Sequence, residues 1–161
     1  DCGLGLLAGL SAGPAAGAAE GGPLATIRAA REEVAALVES YGDIIQGGPD
    51  AVRRRLGTIG KVGASVIFPG PGRPGALDAA YKAVAAETSN TELLELADIA
   101  TGHLAKADEI AYSIFFVNDG GMRGSKKCKG GDCRPVYYEE ARLELVAGLA
   151  ALDDVLRSVQ T

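Results

Sequence analysis

Apolar residues recur every three to four positions through most of this chain, with polar residues between them. That period predicts helices rather than strands. The last quarter is the plainest case. Pro135 opens a long amphipathic helix whose inner face is Tyr138, Leu145, Leu149, Leu152, Leu156 and Val159. Nearer the start, Pro23 opens a helix through Leu24, Ile27, Val34, Leu37, Val38, Tyr41, Ile44 and Ile45, which Gly47-Gly48 stops. Pro49-Asp50 then begins a shorter helix. Its inner stripe is Val52, Leu56 and Ile59, which fans Arg53, Arg54 and Arg55 round the outside, and its end falls within residues 60–63. Three prolines alternating with glycines exclude helix over residues 67–75, which read as a surface loop. Ala76 to Thr88 reads as helix with Leu77, Tyr81 and Val84 inward. Ser89-Asn90-Thr91 marks a break, and Leu93, Leu94, Leu96, Ile99, Leu104, Ile110, Ile114 and Val117 carry a long helix to about Asn118. Asn118 to Pro135 is a Gly-rich basic loop.

Four main helices with short links predict an all-α fold: an up-down four-helix bundle with an extended N-terminal arm and a short extra helix. The arm is residues 1–22, which carry no periodic apolar face, and the bundle domain is 23–161. No internal repeat is evident. The chain starts at Asp1 rather than at methionine, which points to a processed form. Leu4 to Leu10 is too short to span a bilayer, and Ala16-Gly17-Ala18 resembles a signal-cleavage site.

Composition sharpens this reading. At 161 residues the chain fits one domain. Hydrophobic residues make up 47%, much of it alanine, while aromatics are 5% and Trp is absent. Small side chains at that density suit closely packed helices better than a β-sandwich. The net charge of -5 argues against nucleic acid as a partner.

Candidate chemistry is sparse. Nucleophilic catalysis needs a Ser or Cys beside a base. The single histidine, His103, sits mid-helix after Gly102, where a partly exposed structural role fits it best. Carboxylate pairs such as Glu32-Glu33, Glu139-Glu140 and Asp153-Asp154 point in different directions round a helix and read as solvated faces. No phosphate-cradling motif and no E-x-x-H pair is present. We therefore expect no catalytic residue, no cofactor and no metal site.

Two basic clusters stand out on an acidic chain. One is Arg53, Arg54 and Arg55 with Lys61. The other is Arg123, Lys126, Lys127, Lys129 and Arg134, offset by Asp132. Each is either a solvated face or a steering surface for an acidic partner. Cys128 and Cys133 are spaced for a small disulfide-closed loop, which would require an oxidising compartment. Free thiols are the alternative, and a metal site lacks enough soft ligands.

Residues 47–60, Gly47-Gly48-Pro49-Asp50-Ala51-Val52-Arg53-Arg54-Arg55-Leu56-Gly57-Thr58-Ile59-Gly60, resemble a segment of the extrinsic photosystem II protein of diatoms and related algae, in the PsbQ-like family. The shared pattern is a glycine pair, D-A-V-R-R, one residue, then L-G-T-[IV]-G. Residues 104–113 are similar to that family's penultimate helix, and Tyr137-Tyr138-Glu139-Glu140-Ala141 with Leu149 to Leu156 to its final helix. The resemblance covers roughly residues 24–160. It implies a four-helix bundle in the chloroplast thylakoid lumen, peripheral to the membrane. It also implies docking on the photosystem II core and other extrinsic subunits, and help in retaining calcium and chloride at the oxygen-evolving complex. An oxidising lumen would suit a Cys128–Cys133 disulfide. The basic clusters would contact acidic lumenal surfaces, and the N-terminal arm would lie along a neighbour. The long loop around Lys126 and the Gly/Pro-rich residues 69–75 depart from the family pattern and admit another photosynthetic complex as partner. A different class of function is a lumenal or secreted bundle that holds a small apolar ligand or pigment between its helices, against which the alanine content counts.

Overall fold

In a computed structural model the described residues, 22–58, 76–117 and 131–160, are helical nearly throughout, and no strand occurs among them. The elements are α1 (Gly22–Glu39), α2 (Tyr41–Ile44), α3 (Pro49–Thr58), α4 (Ala76–Thr88), α5 (Glu92–Ser113) and α6 (Arg134–Ser158). Short 3-10 turns, Ile45–Gly47 and Ile114–Phe116, extend α2 and α5. The N-terminal arm, the expected loop over 67–75 and most of the basic loop lie outside the described residues.

The spacing expected of α1 places Ile27, Val34 and Leu37 in the core, with Ala30 between them. Its expected run to Ile45 is interrupted at Ser40. The Ser40 hydroxyl donates to the Ala36 carbonyl at 2.6 Å, a back-bond that bends a helix. The chain resumes at once, with the Ile44 amide donating to the Ser40 carbonyl at 3.1 Å. Gly48 then takes φ +78 and ψ -178, a conformation open to glycine alone, and Pro49 starts α3.

The stop after α4 is built from different material. Ser89 adopts a left-handed φ of 54, and the Asn90 amide donates to the Ala85 carbonyl at 3.1 Å. That six-residue closure normally uses glycine at the left-handed position. Asn90 next accepts from the Leu93 amide through Oδ1 at 3.3 Å, capping α5. Its Nδ2 donates to the Ser158 carbonyl at 3.1 Å and so ties the end of α6 to the start of α5.

α5 and α6 run antiparallel and share the most extensive contact in the molecule. α1 packs on α4 and α6, α4 also on α5, and α3 on α5. Small residues let the α5–α6 pair close up. A methyl added at Gly148 would come within 3.0 Å of Leu104 Cδ2 and 3.4 Å of His103 Cβ. The inner line of α6 is Tyr137, Ala141, Leu145, Gly148, Ala151, Leu152 and Val155. That corrects the expected face: Tyr138, Leu149, Leu156 and Val159 only flank the core. On α5, Leu94 and Ile99 face solvent, and the alanines at 97, 100, 107 and 111 take the interior instead. A smaller cluster of Ile110, Ile114, Val117, Cys133, Tyr137 and Ala141 closes the far end of the α5–α6 pair.

No helix among the described residues is long and apolar enough to cross a membrane.

Candidate docking surface

α3 and α5 together set the most unusual cluster. On α5, Asp108 and Tyr112 are four residues apart and share one face. Asp108 is 6% exposed and is the only buried charged residue among those described. Arg53 of α3 meets it, donating from Nε to Oδ1 at 3.1 Å and from Nη2 to Oδ2 at 3.5 Å. The same guanidinium lies 4.7 Å from the centre of the Tyr112 ring. Desolvation of a carboxylate is costly unless a partner and hydrogen bonds offset it, and Arg53 supplies both. This corrects the expectation that Arg53 fans outward with its neighbours. Arg54 and Arg55 do lie on the exposed side of α3.

Tyr112 continues into an aromatic ridge. Its ring meets Phe116 edge-on at 5.2 Å and Phe115 at 6.3 Å. Exposures are 48% for Tyr112, 47% for Phe115 and 56% for Phe116. Tyr112 also lines a groove of about 450 Å³ with Arg53, Gly102, Ala105, Lys106, Asp108 and Glu109, while Phe115 lines another of about 510 Å³ with Ile45, Pro49 and Tyr138.

Sequence reading missed this ridge, although a signal was present. Ile114-Phe115-Phe116-Val117 is too dense an apolar run for one helical face, so part of it must point outward. Asp108 offered a second signal, as a lone acid within the apolar line of Leu104, Ala107 and Ala111.

The remaining expected site residues fall in two groups. Lys61, Arg123, Lys126, Lys127, Lys129 and Cys128 lie outside the described residues. Arg134 is exposed at the start of α6 and is bound to Asp132, with Nε to Oδ1 and Nη2 to Oδ2 both at 2.8 Å. The hydrogen bonds from Arg134 hold the Asp132 carboxyl below its ordinary value. Cys133 is fully buried beneath this turn and is disulfide-bonded, its partner lying outside the described residues.

His103 sits on the α5–α6 seam, half-exposed, with Nδ1 2.7 Å from Glu144 Oε2. The paired carboxylates are less solvated than expected. Asp153 bridges α6 to α1 by accepting from Arg31 Nε at 2.8 Å and Nη2 at 3.3 Å, and those bonds lower its carboxyl below the ordinary 3.8. Glu139 pairs with Arg142, and Asp154 with Arg157, each within α6. Among the described residues no group of three His, Cys, Asp or Glu could hold a metal ion.

No known protein family, curated protein or solved structure matches this chain. The class defined by fold and surface is thus an all-helical protein whose most distinctive exposed feature is an aromatic ridge beside a basic helix.

Proposed function

We propose that this protein is a lumenal extrinsic subunit of photosystem II that performs no chemistry of its own. On this reading α1, α4, α5 and α6 form an up-down four-helix bundle with α3 riding on α5. The protein docks on the lumenal face, stabilises the oxygen-evolving complex and helps to retain calcium and chloride there. The docking part rests on one observation: both phenylalanines among the described residues, Phe115 and Phe116, are on the surface in contact with the exposed Tyr112 ring, while Tyr41, Tyr81 and Tyr137 are buried. Exposed apolar clusters of that kind mark interaction sites. The choice of photosystem II rests on the resemblance of residues 47–60, 104–113 and 137–156 to the PsbQ-like algal proteins. The thylakoid lumen follows from the same resemblance, and a disulfide at Cys133 suits an oxidising compartment.

Rebinding tests it. The purified protein is mixed with salt-washed photosystem II membranes, and bound protein and oxygen evolution are measured across a salt series. Binding that weakens with salt, with recovery of oxygen evolution, is the expected outcome. Failure both to rebind and to restore activity sinks the reading. Charge reversal belongs at Arg54, because a glutamate at position 53 would face Asp108 and damage the fold rather than the docking.

A further inference from the structure

We propose that the outward face of α5 pairs with the same face of a second copy of this chain, antiparallel and about a two-fold axis near the middle of the helix. The proposal goes beyond the photosystem II reading and does not depend on it.

The spacing of exposed residues is the first ground. Glu92, Glu95, Ile99, Gly102, Lys106 and Glu109 are all exposed and follow one another in alternating steps of three and four. That is the period of a helix-pairing seam, which keeps one line of contact along a partner helix. α5 has 22 residues and is therefore about 33 Å long, so the seam runs most of its length.

The second ground is a knob and a hole on the same seam. Ile99 is 52% exposed. One turn further along, Gly102 and Ala105 line the groove of about 450 Å³. Gly102 stands in the interior of α5, where glycine is a destabilising choice. Its backbone is not left-handed, and a methyl added there would meet nothing within 4 Å. Nothing among the described residues therefore calls for glycine, whereas Gly148 is required by its contact with Leu104. A missing side chain does serve a helix that approaches from outside, because the separation of packed helices follows the side chains at the contact. A surface that carries both the knob and the hole is complementary to itself, which is the condition for an isologous pair.

The third ground is charge, which sets the direction. Seating Ile99 of each copy on Gly102 of the other, with the helices antiparallel, places Glu95 opposite Lys106 twice over. Parallel pairing would place glutamate on glutamate and lysine on lysine along the seam. In the antiparallel register Glu92 meets Glu109, whose charge Lys106 already offsets at 3.3 Å. The net charge of -5 opposes the approach of two copies. At about 0.15 M salt, however, exposed charges more than roughly 8 Å apart are largely screened, and the contacts along the seam lie within that range. A contact one helix wide is smaller than a standard interface, so the dimer is weak, with a Kd on the order of 100 µM.

Sedimentation equilibrium of the full chain, from micromolar to millimolar concentration at physiological salt, tests the pairing. The expected result is a monomer–dimer equilibrium that stops at two copies. Ile99→Ser should weaken it at least tenfold, since each dimer loses two apolar seats. Gly102→Gln should weaken it as much by filling the hole. The same change should raise the melting temperature of the dilute monomer by roughly 2–4 °C, because any residue suits a helix better than glycine. A merely structural role for Gly102 predicts the opposite sign in melting. Glu95→Lys should weaken the dimer, and Glu95→Lys/Lys106→Glu should recover it. Phe115→Ser/Phe116→Ser and Leu143→Ser, on other exposed surfaces, should leave it as in the wild type. A chain that stays monomeric to millimolar concentration overturns the proposal. So does association indifferent to Ile99→Ser and Gly102→Gln, association abolished by either control variant, or failure of the charge-swapped double variant to recover. Each of these leaves the photosystem II reading standing, because rebinding to salt-washed membranes decides that reading alone.

Discussion

Two buried tyrosines make a matched pair for asking what a hydroxyl contributes in this core. The Tyr41 hydroxyl donates to the Tyr138 carbonyl at 2.8 Å and so ties α2 to α6. The Tyr81 hydroxyl is sealed without a well-formed hydrogen bond, Thr101 being the side chain that acts on it. A made bond contributes about 1 kcal/mol net, while a buried hydroxyl left unpaired costs about as much or more. Tyr41→Phe should therefore lower unfolding stability by about 1 kcal/mol. Tyr81→Phe should leave it unchanged or raise it by roughly the same amount. Urea denaturation of the two variants decides the matter, and an equal loss in both would show that Tyr81 is paired after all.

At the scale of elements, the docking of α3 on α5 depends on the Arg53–Asp108 pair. Arg53→Met leaves a buried carboxylate facing apolar carbon and should cost about 3 kcal/mol, the low end for a broken buried pair because Arg53 is a third exposed. Arg54→Met should cost almost nothing. Adding Asp108→Leu to Arg53→Met should restore most of the loss, since no charge is then stranded. Thermal melts of the three variants measure it, and equal melting of the two single arginine variants would refute the assignment. This pair also shows where sequence reading stops. The three arginines look alike along the chain, and only a partner 55 positions away distinguishes Arg53. Apolar spacing was legible on α3 and α4, but not on α5, where Leu94 and Ile99 face solvent. Leu77, Tyr81 and Val84 on α4, and Val52 and Leu56 on α3, all lie inside as their spacing demands. Alanine and glycine carry no such signal. On α6 the spacing found Leu145 and Leu152 in the core, but the interior line also runs through Ala141, Gly148 and Ala151, so adding Tyr138, Leu149, Leu156 and Val159 set the face off by part of a turn. The α5–α6 contact is close for the same reason that its inner face was hard to read.

For the whole molecule, the buried tyrosines set an alkaline limit to stability. Desolvation is the largest cause raising the Tyr41 and Tyr81 phenols well above the ordinary 10.0. The folded protein thus keeps both protons while an unfolded chain releases them from about pH 10 upward. Above that pH the unfolded state binds fewer protons than the folded one, so stability must fall as pH rises. Each phenol contributes a slope of roughly 1.4 kcal/mol per pH unit until the folded group itself ionises. The acid side behaves in the opposite sense and more gently. Asp153, held below 3.8 first by its hydrogen bond to Arg31, contributes stability above that value that is lost as pH falls through its lowered folded value. The pair is a third exposed at each partner, so its share is small. Cooperative melting followed from pH 8 to pH 12 should show a steep decline beginning near 10, and the Tyr41→Phe/Tyr81→Phe variant should decline markedly less. A wild-type curve no steeper than that of the double variant would mean that these phenols reach water before the fold opens. The core, with two antiparallel pairings of α6 at its centre, would then be looser than its packing implies.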